Sequence, residues 1–290
     1  MATGDVERVL AFAGRAEELG FDGVFAFDHL FPAGAPPDRP SLEAFATLAA
    51  VCAVTSRIAF GTLVTRASLR SAGMLARQAA TLDAMSGGRF VLGIGTGDAV
   101  GRPEHEVFGL PYLGPAVRRG HLAETIRAVR ALFRGEPWPG GEHVPAIHGP
   151  LLPPPLTPGG PAIWVGGTSE GAVLLAAREA DGWNGWGLSA RVFAERSHLL
   201  AAEARGRAAQ PTWGGAVVVG EDAAEADRLV RARRARGLDQ AWSGSASAAI
   251  DWLGELRAAG ATWAIVLPAG PTDRPELIGE RVLPALRDPA

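Results

Sequence analysis

The stretch Arg89-Phe-Val-Leu-Gly-Ile-Gly-Thr-Gly-Asp98, preceded by Gln78-Ala-Ala-Thr-Leu-Asp-Ala-Met-Ser-Gly-Gly88, decides the fold. Its first half reads as a helix, Gly87-Gly88 stops it, and a short apolar run then opens into a glycine-rich end carrying Thr96 and Asp98. Helix, turn and buried strand in that order form the repeating unit of a parallel α/β fold, whose ligands sit at the strand ends. A dinucleotide-binding turn would need G-x-G-x-x-G leading straight into an apolar helix. Here the glycines fall at 93, 95 and 97. Pro103, Gly109, Pro111, Gly114 and Pro115 interrupt the residues that follow, so the sequence predicts no such helix and the dinucleotide reading is rejected.

The same alternation extends in both directions. Short apolar runs predict strands over 21–28, 58–65, 89–95, 163–166, 183–186, 212–219 and 263–268, as two-sided buried parallel strands require. Runs rich in Ala, Leu, Arg and Glu predict helices over 6–19, 41–54, 71–85, 118–133, 169–180, 190–207, 223–236 and 246–259. The expectation is one domain over 1–290, a TIM (β/α)8-type parallel barrel. Seven strands are counted, and the strand that should precede Val6 is missing. Residues 136–161 are dense in Pro and Gly and are read as an excursion over the barrel mouth, with a small hairpin around Gly140-Gly141.

Composition narrows the function. The chain has 290 residues, 47% of them hydrophobic, and a net charge of -3, enough for a large core and without the basic excess of a nucleic-acid binder. No apolar run approaches the ~20 residues of a membrane-spanning helix. Asp5 and Glu7 do not suit a signal peptide, so a cytoplasmic protein is expected. The single cysteine, Cys52, rules out an intramolecular disulfide and a cysteine metal cluster, and no metal site is expected. All 28 basic residues are arginine, which removes Schiff-base chemistry and lysine phosphate clamps.

Several segments together carry a resemblance. Ala16-Glu-Glu-Leu-Gly-Phe-Asp-Gly-Val24 running into Phe27-Asp-His-Leu30, then Gly61-Thr-Leu-Val-Thr65, Ser86-Gly-Gly-Arg-Phe-Val-Leu-Gly-Ile-Gly-Thr-Gly97, Ile163-Trp-Val-Gly-Gly-Thr-Ser169 and Ala180-Asp-Gly-Trp-Asn-Gly-Trp186 stand in the order and spacing of the bacterial luciferase-like superfamily. The chain is similar to the branch that uses the deazaflavin coenzyme F420 in place of FMN, over nearly its whole length.

The residues and the resemblance then assign roles. His29, at a strand end, suits proton movement near neutral pH, and the matching histidine of deazaflavin-dependent relatives is proposed to do this beside the reactive ring. Asp28 has two readings, a cofactor contact or the group that orients His29. The resemblance implies a non-prolyl cis peptide at Leu63-Val64, backing the flavin ring, and places Thr96, Gly97 and Asp98 at its polar rim and ribityl chain. Many relatives have glutamate at the Asp98 position. Gly166, Gly167, Thr168 and Ser169 follow a strand and open a helix, a natural phosphate site. Asn184, at a strand end between Trp183 and Trp186, is read either as core or as a cofactor or substrate contact. Phe108, Tyr112, Trp138 and His148 are expected to wall a substrate pocket.

The leading expectation is therefore an F420-dependent oxidoreductase acting by hydride transfer on an organic small-molecule substrate. The alternatives are an FMN-dependent monooxygenase using oxygen, a non-catalytic flavin-binding relative, and a flavin-free barrel lyase binding a phosphorylated substrate. Phe45, Leu48, Val51, Met74, Leu75 and Leu82 exceed what one core-facing stripe needs, and the matching helices of luciferase-like proteins form subunit interfaces. A two-fold homodimer through 41–54 and 71–85 is expected.

Overall fold

A computed structural model describes residues 4–31, 38–235 and 241–287. Along the chain run α1 (Val6–Glu18), β1 (Gly23–Ala26), α2 (Ala44–Val54), β2 (Ala59–Thr62), β3 (Thr65–Arg66), α3 (Ala72–Ser86), β4 (Phe90–Gly95), α4 (Arg102–Val107) and α5 (Pro115–Phe133). They are followed by β5 (Ala162–Gly166), α6 (Glu170–Glu179), β6 (Gly182–Trp186), α7 (Ala190–Glu203), β7 (Gln210–Gly220), α8 (Ala223–Arg234), β8 (Ala241–Ser245), α9 (Ala246–Ala258), β9 (Trp263–Pro268), α10 (Arg274–Arg281) and α11 (Leu283–Arg287). The described residues form two compact units, one within Met1–Glu17, Asp22–Gly166 and Arg178–Asp181, the other within Glu18–Phe21, Gly167–Ala177 and Gly182–Ala290.

In the first unit β1, β2, β4 and β5 lie side by side in that order, all parallel, with Gly23 opposite Ala59, Phe60 opposite Phe90 and Val91 opposite Ala162. After the cis peptide Leu63-Val64, β3 carries on from β2 and pairs with the end of β4, Thr65 opposite Ile94. Every residue of β4 is buried, as a strand covered on both faces requires. Its glycines make room for the neighbouring strand. A Cβ on Gly93 would lie 2.0 Å from the Thr62 carbonyl oxygen, and one on Gly95 2.9 Å from Val64 Cγ2. Phe60, Phe90, Leu92, Ile94, Ile163 and Trp164 are fully buried, as are Leu48, Leu75, Leu122 and Ile126 from the helices, each worth roughly 1.5–3 kcal/mol. Ser71 caps α3 by accepting from the Met74 amide, and Gly87, in the left-handed region at φ 68°, ends it.

The hairpin around Gly140-Gly141 is present: Trp138 and Ile147 exchange backbone hydrogen bonds of 2.9 Å. The excursion as a whole runs along α3 and α5 and not over strand ends, which corrects the expectation. Glu124 of α5 accepts the amides of Glu142, His143 and Val144, Arg77 of α3 donates to the Leu152 carbonyl, and the buried Asp83 of α3 accepts both the Thr157 amide and hydroxyl at 2.7 Å. The apolar surplus expected of α2 and α3 is also smaller than read. Phe45, Leu48, Val51, Leu75 and Leu82 are buried, and of the six only Met74 stands exposed.

In the second unit β7 is the axis. Parallel β6 pairs with its first half, Gly182 opposite Gln210; β9 lies along its middle, Thr212 opposite Trp263; β8 pairs with its last residues, Ala216 opposite Ala241. Trp252 stacks on Trp242 at 4.6 Å and meets Trp213 edge-on at 4.9 Å, while Trp183 stacks on Phe193 at 5.3 Å. Buried Arg274 donates to the Val219 carbonyl and to Glu225.

Nine strands stand among the described residues, not seven. The run over 58–65 is split in two at Leu63-Val64, and β8, with the sequence AWSGS, has a composition that reads as a turn. The strand expected to be missing before Val6 concerns residues outside those described. A short α4 forms among the prolines and glycines that follow β4, because Pro103 occupies its first turn, where no amide donor is needed. No helix among the described residues is long and apolar enough to cross a membrane.

Candidate active site

Beyond Ala26 the chain leaves β1 through Phe27, Asp28 and His29. His29 is partly exposed, and its Nδ1 lies 2.6 Å from Oε1 of Glu104, which α4 buries completely. The other carboxylate oxygen, Oε2, accepts the Leu30 amide at 2.6 Å and Arg66 Nη2 at 2.5 Å. Burial opposes ionisation of Glu104. The hydrogen bonds from His29 and the Leu30 amide, with the Arg66 charge, outweigh it and hold the carboxyl below the usual carboxylate range. His105, next on α4, turns elsewhere, its Nδ1 2.9 Å from the Pro111 carbonyl oxygen, and burial pushes its imidazole down.

Asp28 does not orient His29. Its buried carboxylate accepts the Thr65 hydroxyl at 2.5 Å and both terminal nitrogens of Arg70. Arg70 also pairs with Glu43, whose second oxygen caps α2 at the Ala46 amide, and lies 4.5 Å over the Phe45 ring. Burial pushes the Arg70 guanidinium down, but Asp28 and Glu43 outweigh it and raise it. The network joins the end of β1, β3 and the start of α2.

The expected cis peptide Leu63-Val64 is present between β2 and β3, with Leu63 buried and its amide donating to the Ala26 carbonyl. Val64 is partly exposed, and its methyls fill the space where Gly95 and Gly166 lack side chains: a Cβ on Gly166 would lie 2.8 Å from Val64 Cγ1. Gly97, at φ 69°, and Gly101 likewise leave room for Arg66, which donates to the carbonyls of Gly101 at 3.2 Å and Asp28 at 3.3 Å. The Thr96 hydroxyl donates to the Gly97 carbonyl, and the Asp98 carboxylate caps the turn after it through the Val100 and Gly101 amides at 3.0 and 3.3 Å. The Tyr112 hydroxyl reaches the Asp98 carbonyl at 3.0 Å. Phe108 is exposed just beyond α4. Trp138 and His148 belong instead to the excursion along α3 and α5, Trp138 Nε1 donating to the Val144 carbonyl within the hairpin.

In the second unit Gly167 has φ 151°, and a Cβ there would meet that of Ala172 at 2.8 Å. Thr168 follows, and the Ser169 hydroxyl accepts the Ala172 amide at 3.3 Å, leading into α6. The glycines at 166 and 167 thus have packing reasons of their own. Asn184 is buried, its side-chain amide donating to the Thr212 hydroxyl at 3.0 Å, and Trp183 Nε1 donates to the Gly167 carbonyl at 2.7 Å.

The structure therefore brings Asp28, His29, Leu63, Val64, Thr96, Gly97 and Asp98 to neighbouring strand ends of one unit. Sequence reasoning missed Glu104, Arg66 and Arg70. The available signal was an acid in the first turn after Pro103 and two arginines just past a strand end, in a chain without lysine.

A family model described as luciferase-like monooxygenase matches residues 1–266. The F420-dependent glucose-6-phosphate dehydrogenase of Nakamurella multipartita is 35% identical over 176 residues, 58% of this chain and 48% of that protein. The enzyme of the same name from Beutenbergia cavernae is 32% identical over 60% of this chain and 51% of its own length. The chain thus spans about half the length of these curated relatives. Among solved structures, an F420-dependent secondary alcohol dehydrogenase in complex with an F420-acetone adduct superposes with a TM-score of 0.85 at 19% identity, covering 99% of this chain and 97% of that one. A long-chain alkane monooxygenase gives 0.79 at 17% identity, covering 98% and 84%. These likenesses show the fold class, parallel α/β of the (β/α)8 type. With the family model matched over most of its length, the chain belongs to the luciferase-like monooxygenase family.

Proposed function

We propose that the chain is an oxidoreductase using coenzyme F420, with His29 moving the proton that accompanies hydride transfer to or from an organic substrate. The observation that carries this reading is the partly exposed His29 imidazole, held by a fully buried carboxylate at the end of β1. An imidazole so placed can hold or release a proton and is too well fixed to be a surface residue. The residues around it suit a flat, largely apolar ring with a polar rim. Val64 lies against strands stripped of side chains at Gly95 and Gly166, and Thr96, Gly97 and Asp98 supply polar groups beyond it. When bound, F420 supplies one carbon that gives or takes a hydride. Leu63 and Val64 would back the ring, Thr96, Gly97 and Asp98 would hold its rim, and Asp28 with Arg70 keeps the β1 end in place.

In the second unit, Gly167, Thr168 and Ser169 at the start of α6, directly after Gly166, are our proposed holder of a phosphate group, with Asn184 supporting the Thr212 strand. The F420-dependent names of the two dehydrogenase relatives favour this coenzyme over FMN. We also infer a two-fold homodimer through α2 and α3, where Val54, Met74 and Met85 stand exposed.

The test is to mix the protein anaerobically with oxidised F420 and a panel of alcohols and sugar phosphates. Bleaching of the coenzyme by one of them, lost in His29→Ala, is the expected result. An oxygenated product formed from a substrate with reduced FMN and oxygen, and no bleaching of F420 by any substrate, would replace this reading with an FMN-dependent monooxygenase.

A further inference from the structure

We propose that Glu104 is a positioning residue that fixes His29 as the Nδ1–H tautomer, so that Nε2 is the nitrogen that exchanges the proton. The argument is an inventory of donors and acceptors. Oε2 of Glu104 receives two hydrogen bonds, from the Leu30 amide at 2.6 Å and from Arg66 Nη2 at 2.5 Å, and neither donor can act as an acceptor. That atom must therefore be an unprotonated oxygen. Arg66 is itself immobilised, donating also to the carbonyls of Gly101 and Asp28, and Gly97 and Gly101 close over it without side chains. The Arg66 charge and the Leu30 amide on the same carboxyl hold it ionised, so Oε1, 2.6 Å from His29 Nδ1, has no proton to donate. The proton of that contact belongs to Nδ1, and the neutral imidazole is left with its lone pair on Nε2.

The same inventory gives a sharp consequence for Glu104→Gln, a change of nearly equal volume. The Leu30 amide and Arg66 still require an oxygen at the Oε2 position, so the new amide nitrogen must take the Oε1 position and donate to Nδ1. Nδ1 then carries the lone pair and the proton moves to Nε2. One atom changed 75 residues away in sequence reverses the polarity of the nitrogen facing the site.

The tautomer rests on the hydrogen-bond geometry and the ionised state of Glu104, and its effect on turnover rests on the F420 reading above. The experiment is ¹⁵N spectroscopy of histidine-labelled protein without coenzyme, taken in the neutral form reached on raising the pH, with His29→Gln identifying the His29 signals among those of the six histidines. Wild type is expected to show Nδ1–H and Glu104→Gln to show Nε2–H. Nε2–H in wild type, or the same tautomer in both proteins, overturns the proposal. Should Glu104→Gln not fold, the wild-type spectrum decides alone. With F420 and a substrate in hand, Glu104→Gln is expected to lower kcat about 10²- to 10⁴-fold with KM little changed, as a wrong tautomer does elsewhere. A tautomer switch in a protein that turns over neither F420 nor FMN upholds the positioning role and defeats the coenzyme reading.

Discussion

His29 shows what a single residue gains from its surroundings. A surface histidine would be free to rotate, whereas here Glu104, Arg66 and the Leu30 amide hold the ring. His29→Ala should lower turnover with F420 by about 10²- to 10⁴-fold and leave coenzyme affinity nearly intact, measured by steady-state kinetics beside a binding titration. An equal loss of affinity would make His29 a binding group. Another carboxylate far from the site gives a stability prediction. Glu17, at the end of α1, accepts the amides of Ser56, Arg57 and Ile58 at the entrance to β2. The Arg57 amide, foremost, and the other hydrogen bonds overcome desolvation and lower its carboxyl from 4.5 to about 2. Because the folded value lies below the unfolded one, the charge's contribution is complete above about pH 4.5 and is lost as pH falls towards 2. Glu17→Ala should cost about 1–2 kcal/mol in urea unfolding at pH 7, and the gap to wild type should narrow at pH 3. His29 was readable in the sequence as a polar residue where an apolar run ends. Glu104 was not, because its partner lies 75 residues away in the chain and a residue's spatial neighbours are not written in its local pattern.

Among the elements, β4 carries the most information. Its glycines, with Gly97 just after it, looked like a ligand-binding signature, and the structure gives them a packing reason: Thr62 and Val64 need the space at Gly93 and Gly95, and Arg66 needs it at Gly97. Gly166 of β5 belongs to the same set. Gly166→Ala would push a methyl against Val64 and should cost about 1–3 kcal/mol, an overpacking effect. Gly171→Ala, inside α6 with its nearest neighbour at 3.9 Å, should instead stabilise by roughly 0.5–1 kcal/mol. Thermal unfolding of the two variants checks the contrast, and equal effects would contradict it. Buried strands and long helices were readable, since two-sided burial and helical spacing mark them strongly. β8 and the six-residue α4 were not, because short elements depend on tertiary partners more than on pattern, and the break at Leu63-Val64 was readable only through the family resemblance. The path of the excursion was misread for the same reason: Asp83 and Glu124, which hold it, look in sequence like ordinary helix-surface acids.

For the molecule as a whole, family and fold class followed from the order of the motifs, and the assembly is the open expectation. With most apolar side chains of α2 and α3 turned inward, the proposed homodimer rests on Val54, Met74 and Met85. Light scattering at micromolar concentration should give twice the 30.1 kDa chain mass, and Met74→Glu with Met85→Glu should shift it towards the monomer. A mass of one chain for the unmodified protein removes the dimer. The central claim is the coenzyme, and one measurement reaches it directly: parallel equilibrium titrations of the purified chain with F420 and with FMN, followed by the change in coenzyme fluorescence. The account predicts saturable binding of F420 at least about tenfold tighter than FMN, a difference of about 1.4 kcal/mol. Saturable binding of FMN with none of F420 would contradict it.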